Sequence, residues 1–357
     1  MRALSCAFAL LVSVALVGRA AAQTGPAAAN GPLVLENQGS FFVGGEDKTV
    51  TQPGFGGGPL RSGQITVNQM YVQYQIPMQA DRHVPVVMVH GCCLSSKTWE
   101  TTPDGREGWR GRFERRGRAV YLADQVSRAR SGFDATAFAA VREGKAPPDT
   151  LPNIIDATHE IGWTVFRFGP KFGKVFPDEQ FPVASIAEFY KQMIPDLNSM
   201  LPQNPNPTWT QMAALAAELK GAVLIGHSES GFFPERAALI DSSGIRGIVT
   251  IEMGCDTKLS ARQIATLAKI PTLIVFGDHL NDVAAASPAN WPQSFASCKT
   301  FVAQLEKAGG DAEMMHLPEL GIHGNSHMLM QDKNSDQIAD LVLDWIDKHV
   351  ESGEAAR

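Results

Sequence analysis

Ala222-Val223-Leu224-Ile225-Gly226-His227-Ser228-Glu229-Ser230-Gly231 is the stretch on which the fold turns. Four apolar residues read as a strand buried on both faces. A G-x-S-x-small turn follows, and Gly231–Leu239 reads as a helix broken only early by Pro234. Strand, sharp turn and helix together are the context of a nucleophile elbow, which needs small residues two before and two after the nucleophile. Gly226 and Ser230 meet that need, and Ser228 is the candidate nucleophile. The N-terminus of the following helix aims backbone N–H groups at developing negative charge, so the N–H of Glu229 is a candidate oxyanion donor.

Outward from the elbow, strands and helices alternate. Val84–Val89, Ala119–Ala123, Ile248–Ile251, Ile270–Phe276 and Glu313–Leu317 read as strands. Asn334–His349 reads as an amphipathic helix, with Ile338, Leu341, Val342, Trp345 and Ile346 on one stripe. Such alternation predicts an α/β fold, a mostly parallel sheet with helices on both faces. Two strand-like pieces precede it, Phe41–Val50 and Gln64–Ile76, joined by the Gly-rich loop Gly54–Gly58. About a hundred residues separate Ala123 from Ala222, far more than one crossover helix needs. The excess, about 126–207, carries Trp163, Phe166, Phe168, Phe172, Phe176, Phe181, Phe189, Tyr190 and Trp209, and reads as a cap ending in a crossover helix, Thr208–Leu219. Its aromatic load points weakly to an apolar or aromatic part in the ligand. The main domain is expected over 41–350, with a flexible lead-in over 23–40 and a short tail over 351–357.

The N-terminus has the pattern of an export signal. Arg2 is followed by an apolar run, Ala3 to Val17, and by Ala20-Ala21-Ala22, so 1–22 is expected to be a cleaved signal peptide. The run falls short of the ~20 residues of a bilayer span, so no stable membrane anchor is expected. The localisation implied is secreted or periplasmic. A net charge of -6 offers no basic face for nucleic acid. The sequence is equally compatible with a monomer and a homodimer. Beyond the signal, Cys92, Cys93, Cys255 and Cys298 remain, and an oxidising compartment would let them pair in any of three ways.

His90-Gly91-Cys92-Cys93 directly follows the strand Val84–Val89, where the fold places its second oxyanion donor. The backbone N–H of Cys92 or of Cys93 is expected to serve. The general base must lie between the last strand and the last helix. His316 falls in a strand, whereas His323 and His327 fall in the loop Gly321–Asn334, and His327 is preferred. His323 and His327 have metal-like spacing, but Gly324 stands where a zinc-binding helix carries glutamate, so no metal is expected. For the acid, Glu252 after one strand and Asp282 or Asp278 after the next both keep the order Ser, acid, His.

Gly63–Pro77, His90–Trp99, Asp124–Gly132, the elbow, Ile251–Cys255 and Gly321–Asp332 together resemble a small group of secreted bacterial esterases of the α/β-hydrolase superfamily. The resemblance implies the α/β-hydrolase fold with an inserted cap. It also implies a disulfide between the adjacent Cys92 and Cys93 at the oxyanion hole, and a second between Cys255 and Cys298. In that family the acid is a glutamate on the strand after the elbow, which favours Glu252 over Asp282. The expected activity is carboxylic-ester hydrolysis by Ser228, His327 and Glu252, on a small-molecule ester and without cofactor. An amidase, lactamase or acyltransferase could use the same triad; a non-catalytic binding protein would be expected to have lost one of its members.

Overall fold

Along the short central strands nearly every side chain is buried, and successive residues enter opposite cores. Val87, Val89, Leu224, Ile248 and Ile274 join one cluster, while Val86, Met88, Val223, Ile225, Val249 and Val275 join the other. This is the period of two expected of strands covered on both faces. Each such side chain gains ~1.5–3 kcal/mol over exposure, so the pattern fixes the register firmly. A computed structural model describes residues 31–53, 58–78, 80, 83–283, 287 and 289–351. The expected signal peptide, the first part of the lead-in, most of the loop Gly54–Gly58 and nearly all of the C-terminal tail lie outside the described residues.

The strands are β1 (Leu35–Pro53), β2 (Leu60–Pro77), β3 (Val86–Val89), β4 (Val120–Ala123), β5 (Ala222–His227), β6 (Ile245–Ile251), β7 (Thr272–Phe276) and β8 (Ala312–His316). They form one sheet in the order β1-β2-β4-β3-β5-β6-β7-β8. The pairs β1·β2 and β2·β4 are antiparallel and the rest are parallel. The α/β-hydrolase reading of the sequence is correct. One expectation is not: Leu35 to Ser40, assigned to the flexible lead-in, pair with Gln73–Pro77 as the start of β1. Their largely polar side chains hide a strand whose position is dictated by its better-patterned partner. At the other end, Glu351 closes a helical turn, Asp347–Glu351, rather than opening a tail.

The helices are α1 (Trp109–Arg115), α2 (Thr136–Arg142), α3 (His159–Val165), α4 (Ile186–Tyr190), α5 (Pro207–Glu218), α6 (Phe233–Ile240), α7 (Ala261–Leu267), α8 (Trp291–Lys307) and α9 (Ser335–Ile346). Residues from α5, α6, α7 and α8 fill one core, and residues from α1 and α9 fill the other. The insertion between β4 and β5 brings its aromatics to the α1/α9 side. Phe168 stacks on Phe181 at 4.0 Å, and Phe189 meets Phe166, Phe168 and Phe181 edge-on. These rings join the same core as the α1 and α9 side chains. Phe133 and Phe172 of the insertion are exposed, at 53% and 49%. A disulfide joins Cys255, after β6, to Cys298 in α8. No helix among the described residues is long and apolar enough to cross a membrane.

Candidate active site

The elbow is built as its sequence demands. Ser228 follows β5 directly and sits at φ 54°, in the left-handed region that side chains rarely adopt. A Cβ at Gly226 would lie 2.0 Å from the Ser230 carbonyl oxygen, so only glycine fits before the turn. Ser230 earns its place by bonding. Its hydroxyl lies 2.8 Å from the Val89 carbonyl, to which it donates, and accepts from the His227 N–H at 3.0 Å, tying the turn to β3. Ser228 and Glu229 are half-buried, whereas the residues on either side are buried.

Glu252 directly follows β6 and also has positive φ, 58°. Its Oε2 lies 3.1 Å from Nδ1 of His327, and both side chains are fully buried. Arg167, from the insertion, donates to both carboxylate oxygens at 2.7 Å, and the Gly277 N–H donates to Oε1. Burial alone would raise the Glu252 carboxyl; the Arg167 charge and the hydrogen bonds from His327 and Arg167 overturn that and hold it at about 2. An ionised Glu252 can only accept, so His327 Nδ1 carries the proton and Nε2 carries the lone pair. Burial holds the His327 imidazole below its ordinary value, against the upward pull of the Glu252 hydrogen bond and charge, with Arg167 adding a smaller downward push. His327 Nε2 is buried with no hydrogen-bond partner among the described residues.

His327 is tied to the elbow through His227. The His227 ring lies 4.7 Å from the His327 ring, and its Nε2 donates to the His327 carbonyl at 2.9 Å. Burial keeps His227 far below its ordinary value and therefore neutral. The insertion supports His327 as well: the His327 N–H donates to the Phe166 carbonyl at 2.9 Å, and the Phe166 and Trp291 rings flank the imidazole.

On the opposite side, the turn after β3 presses against Ser228. A Cβ at Gly91 would lie 2.6 Å from Cβ of Ser228. His90 anchors this turn: its Nδ1 donates to the Gly91 carbonyl and its Nε2 accepts from the Gln125 N–H. The Cys93 N–H, at 3.4 Å from an Asp196 carboxylate oxygen, already has an acceptor. The Cys92 N–H has none among the described residues. The expected Cys92–Cys93 disulfide is absent: both are free thiols, with sulfurs 2.7 Å apart. That exceeds an S–S bond of ~2.05 Å but is well inside the ordinary contact of two unbonded sulfurs, so the pair stands close to bonding distance. The hydrogen bond with Cys93, and burial, raise the Cys92 thiol, so it stays protonated. The expected Cys255–Cys298 bridge is present.

Behind this turn lies a second buried charge cluster. Arg128 pairs with Asp196 and reaches Glu229 at 3.4 Å; Glu229 also accepts from Gln125 and Asn198. Burial and the Asp196 charge push Glu229 up to about 7, against Arg128.

The remaining candidates lie elsewhere. Asp282 is 59% exposed and pairs with His279 at 3.0 Å, and Asp278 faces His323 at 3.2 Å. Neither carboxylate contacts His327. His316 pairs with Glu319 at the surface. Sequence reasoning missed Arg167, Arg128 and Asp196. The available signal for Arg167 was a cation set between Phe166 and Phe168, since a charge in an aromatic run must be paired if it is buried.

No family model matches the chain. A bacterial esterase solved at atomic resolution is 46% identical, aligns over 90% of this chain and 98% of its own, and superposes with a TM-score of 0.84. A probable secreted lipase, phiG, from a fungal species (strain ATCC 74256) is 26% identical over 324 residues, covering 78% of this chain and 86% of the lipase. Identity at that level, over nearly the whole of both chains and on one shared fold, shows that this chain belongs to the bacterial esterase family of α/β-hydrolases and is an ester hydrolase.

Proposed function

We propose that the protein is a secreted serine carboxylesterase that works through an acyl-enzyme, with Ser228 as nucleophile, His327 as general base and Glu252 as the acid that orients it. The observation that carries the reading is His327 itself: buried, neutral, with Nδ1 on an ionised Glu252 and Nε2 unpartnered, bonded to the residue that precedes Ser228. Ser228 Oγ attacks the ester carbonyl as its proton passes to His327 Nε2. The N–H groups of Glu229 and Cys92 receive the oxyanion; Cys92 is preferred to Cys93 because Asp196 already faces the Cys93 N–H. The C–O bond to the alcohol breaks, and the leaving oxygen takes the proton from His327. Water then attacks the acyl-serine with the same base, releasing the carboxylic acid and restoring the Ser228 hydroxyl.

The insertion over 126–207 is read as a cap, since its backbone bonds to the base loop at Phe166 and Gln180. Export, with removal of 1–22, is supported by the apolar stretch Ala3–Val17, by the Cys255–Cys298 disulfide and by the secreted character of the fungal lipase. The test is labelling with a fluorophosphonate followed by peptide mass mapping. One adduct, on the peptide holding Ser228 and lost in Ser228→Ala, is expected; an adduct on another residue would refute the assignment.

A further inference from the structure

We propose that Arg167 is a positioning residue of the catalytic base: its guanidinium clamps both oxygens of Glu252, aims Oε2 at His327, and sets by its charge the pH at which the base switches on. This rests on the triad reading above.

Arg167 is fully buried and makes a two-pronged contact with Glu252, both prongs at 2.7 Å. Paired N–H···O bonds of this kind fix the plane of a carboxylate, which one point contact does not. The third donor, Nε, is spent on the Asp278 carbonyl at 2.9 Å, and the guanidinium lies over the Trp291 ring at 4.9 Å. The guanidinium is therefore held on three sides, and the same Trp291 ring packs against His327. Arg167 itself sits at φ 59°, a costly conformation for a residue with a side chain, kept within the segment whose Phe166 carbonyl holds the His327 N–H.

The charge has a second consequence. A positive group beside the Glu252–His327 pair opposes addition of a proton to either member. Below about pH 7, where the acid limb lies, the other ionisable groups around the pair do not cancel it. His227, on the elbow, is kept neutral by burial. Asp332 on the base loop and Glu179 in the insertion are pushed up by burial, to about 7 and about 9. The Asp278 carboxylate is turned to His323 and the Gly324 N–H. Arg167 is thus the permanent charge facing the pair, and the base stays free at lower pH than it would without it.

The experiment compares kcat/KM against pH, on a 4-nitrophenyl ester, for wild type, Arg167→Lys, Arg167→Met and Glu252→Gln. Arg167→Met should lower kcat/KM about 10²-fold and move the acid limb upward by about one pH unit. Arg167→Lys keeps the charge but not the fork, so its acid limb should stay at the wild-type pH while kcat falls about tenfold. A wild-type profile in Arg167→Met would overturn the proposal, as would an Arg167→Lys profile shifted as far as that of Arg167→Met. If Arg167→Met does not fold, Arg167→Lys decides alone: an unmoved limb with lowered kcat supports the proposal, while a moved limb or a wild-type kcat overturns it. Glu252→Gln separates the two claims. If it keeps wild-type activity, the triad reading fails; if it is crippled while Arg167→Met is unaffected, only the role of Arg167 fails.

Discussion

Two buried arginines flank the proposed nucleophile, and they carry different loads. On the base side, Arg167 meets one carboxylate, Glu252, and holds it at about 2. On the oxyanion side, Arg128 serves two, Asp196 and Glu229, and Glu229 is pushed up to about 7. Both arginines are as deeply buried as the central strands. What differs is the count of charges, and the comparison teaches that this balance decides which group titrates near neutrality. A one-to-one pair locks its carboxylate in the ionised form that a base-orienting acid needs. A two-to-one cluster keeps a proton in play beside the N–H that would receive an oxyanion.

The largest expected effect concerns the atom between the two clusters. Ser228→Ala should lower kcat by about 10⁶-fold while thermal unfolding stays near wild type, checked by ester assay and melting curve. Next, Glu252→Gln should break the one-to-one side. Loss of the orienting charge should lower kcat by about 10⁴-fold. Because Arg167 is left buried and unpaired, stability should fall by about 3–5 kcal/mol. A variant that lost activity but no stability would show that the Arg167–Glu252 pair contributes less to the fold than its burial implies.

How much of this contrast was legible in the sequence depends on how local each feature is. The elbow is local, so apolar residues, Gly226 and Ser230 announce Ser228 within ten residues. His327 is semi-local: it shares the loop before the last helix with His323 and lies nearer that helix. The acid needed the family resemblance, because Glu252 and Asp282 both satisfy chain order, and only the packing of the β6 end against the base loop tells them apart. The arginines were invisible for the same reason. Arg167 and Glu252 are 85 positions apart, and nothing in either neighbourhood names the other. The aromatic insertion is hard to read from composition, because rings that fill a core and rings that line a pocket have the same composition. The Cys92–Cys93 bridge was one of three pairings the cysteines allowed and was favoured by the resemblance; the two sulfurs are close, at 2.7 Å.

Removing the Cys255–Cys298 bridge, which lies outside both charge clusters, should cost about 2–4 kcal/mol of stability with little change in kcat, read by melting with and without reductant. A parallel collapse of kcat would mean that the loop after Glu252 depends on the bridge for its shape. The two-to-one side makes a subtler prediction. The folded value of Glu229, about 7, lies above the ordinary 4.5, so between those pH values the native state holds a proton that the unfolded chain has released. Stability is therefore drawn away as pH rises from about 4.5 to 7, and the loss is complete above 7. Glu229→Gln removes that dependence, so its melting temperature should gain more over wild type at pH 8 than at pH 5; an equal gain at both would show that Glu229 is already ionised. Smallest of all, Asp282→Asn should leave kcat unchanged and shift stability by no more than about 0.5 kcal/mol, as for an exposed group. A large loss of kcat would return Asp282 to contention as the acid.

The central claim is that Ser228 becomes covalently acylated because the His327–Glu252–Arg167 side is charge-balanced and ready. Trapping the intermediate with a slowly deacylating ester, quenching in acid and mapping the adduct by peptide mass tests it most directly. The account predicts one acyl group per chain, on Ser228, formed about 10⁴-fold more slowly in Glu252→Gln than in wild type. An acyl group on another residue, or turnover by Ser228→Ala at the wild-type rate, would contradict it.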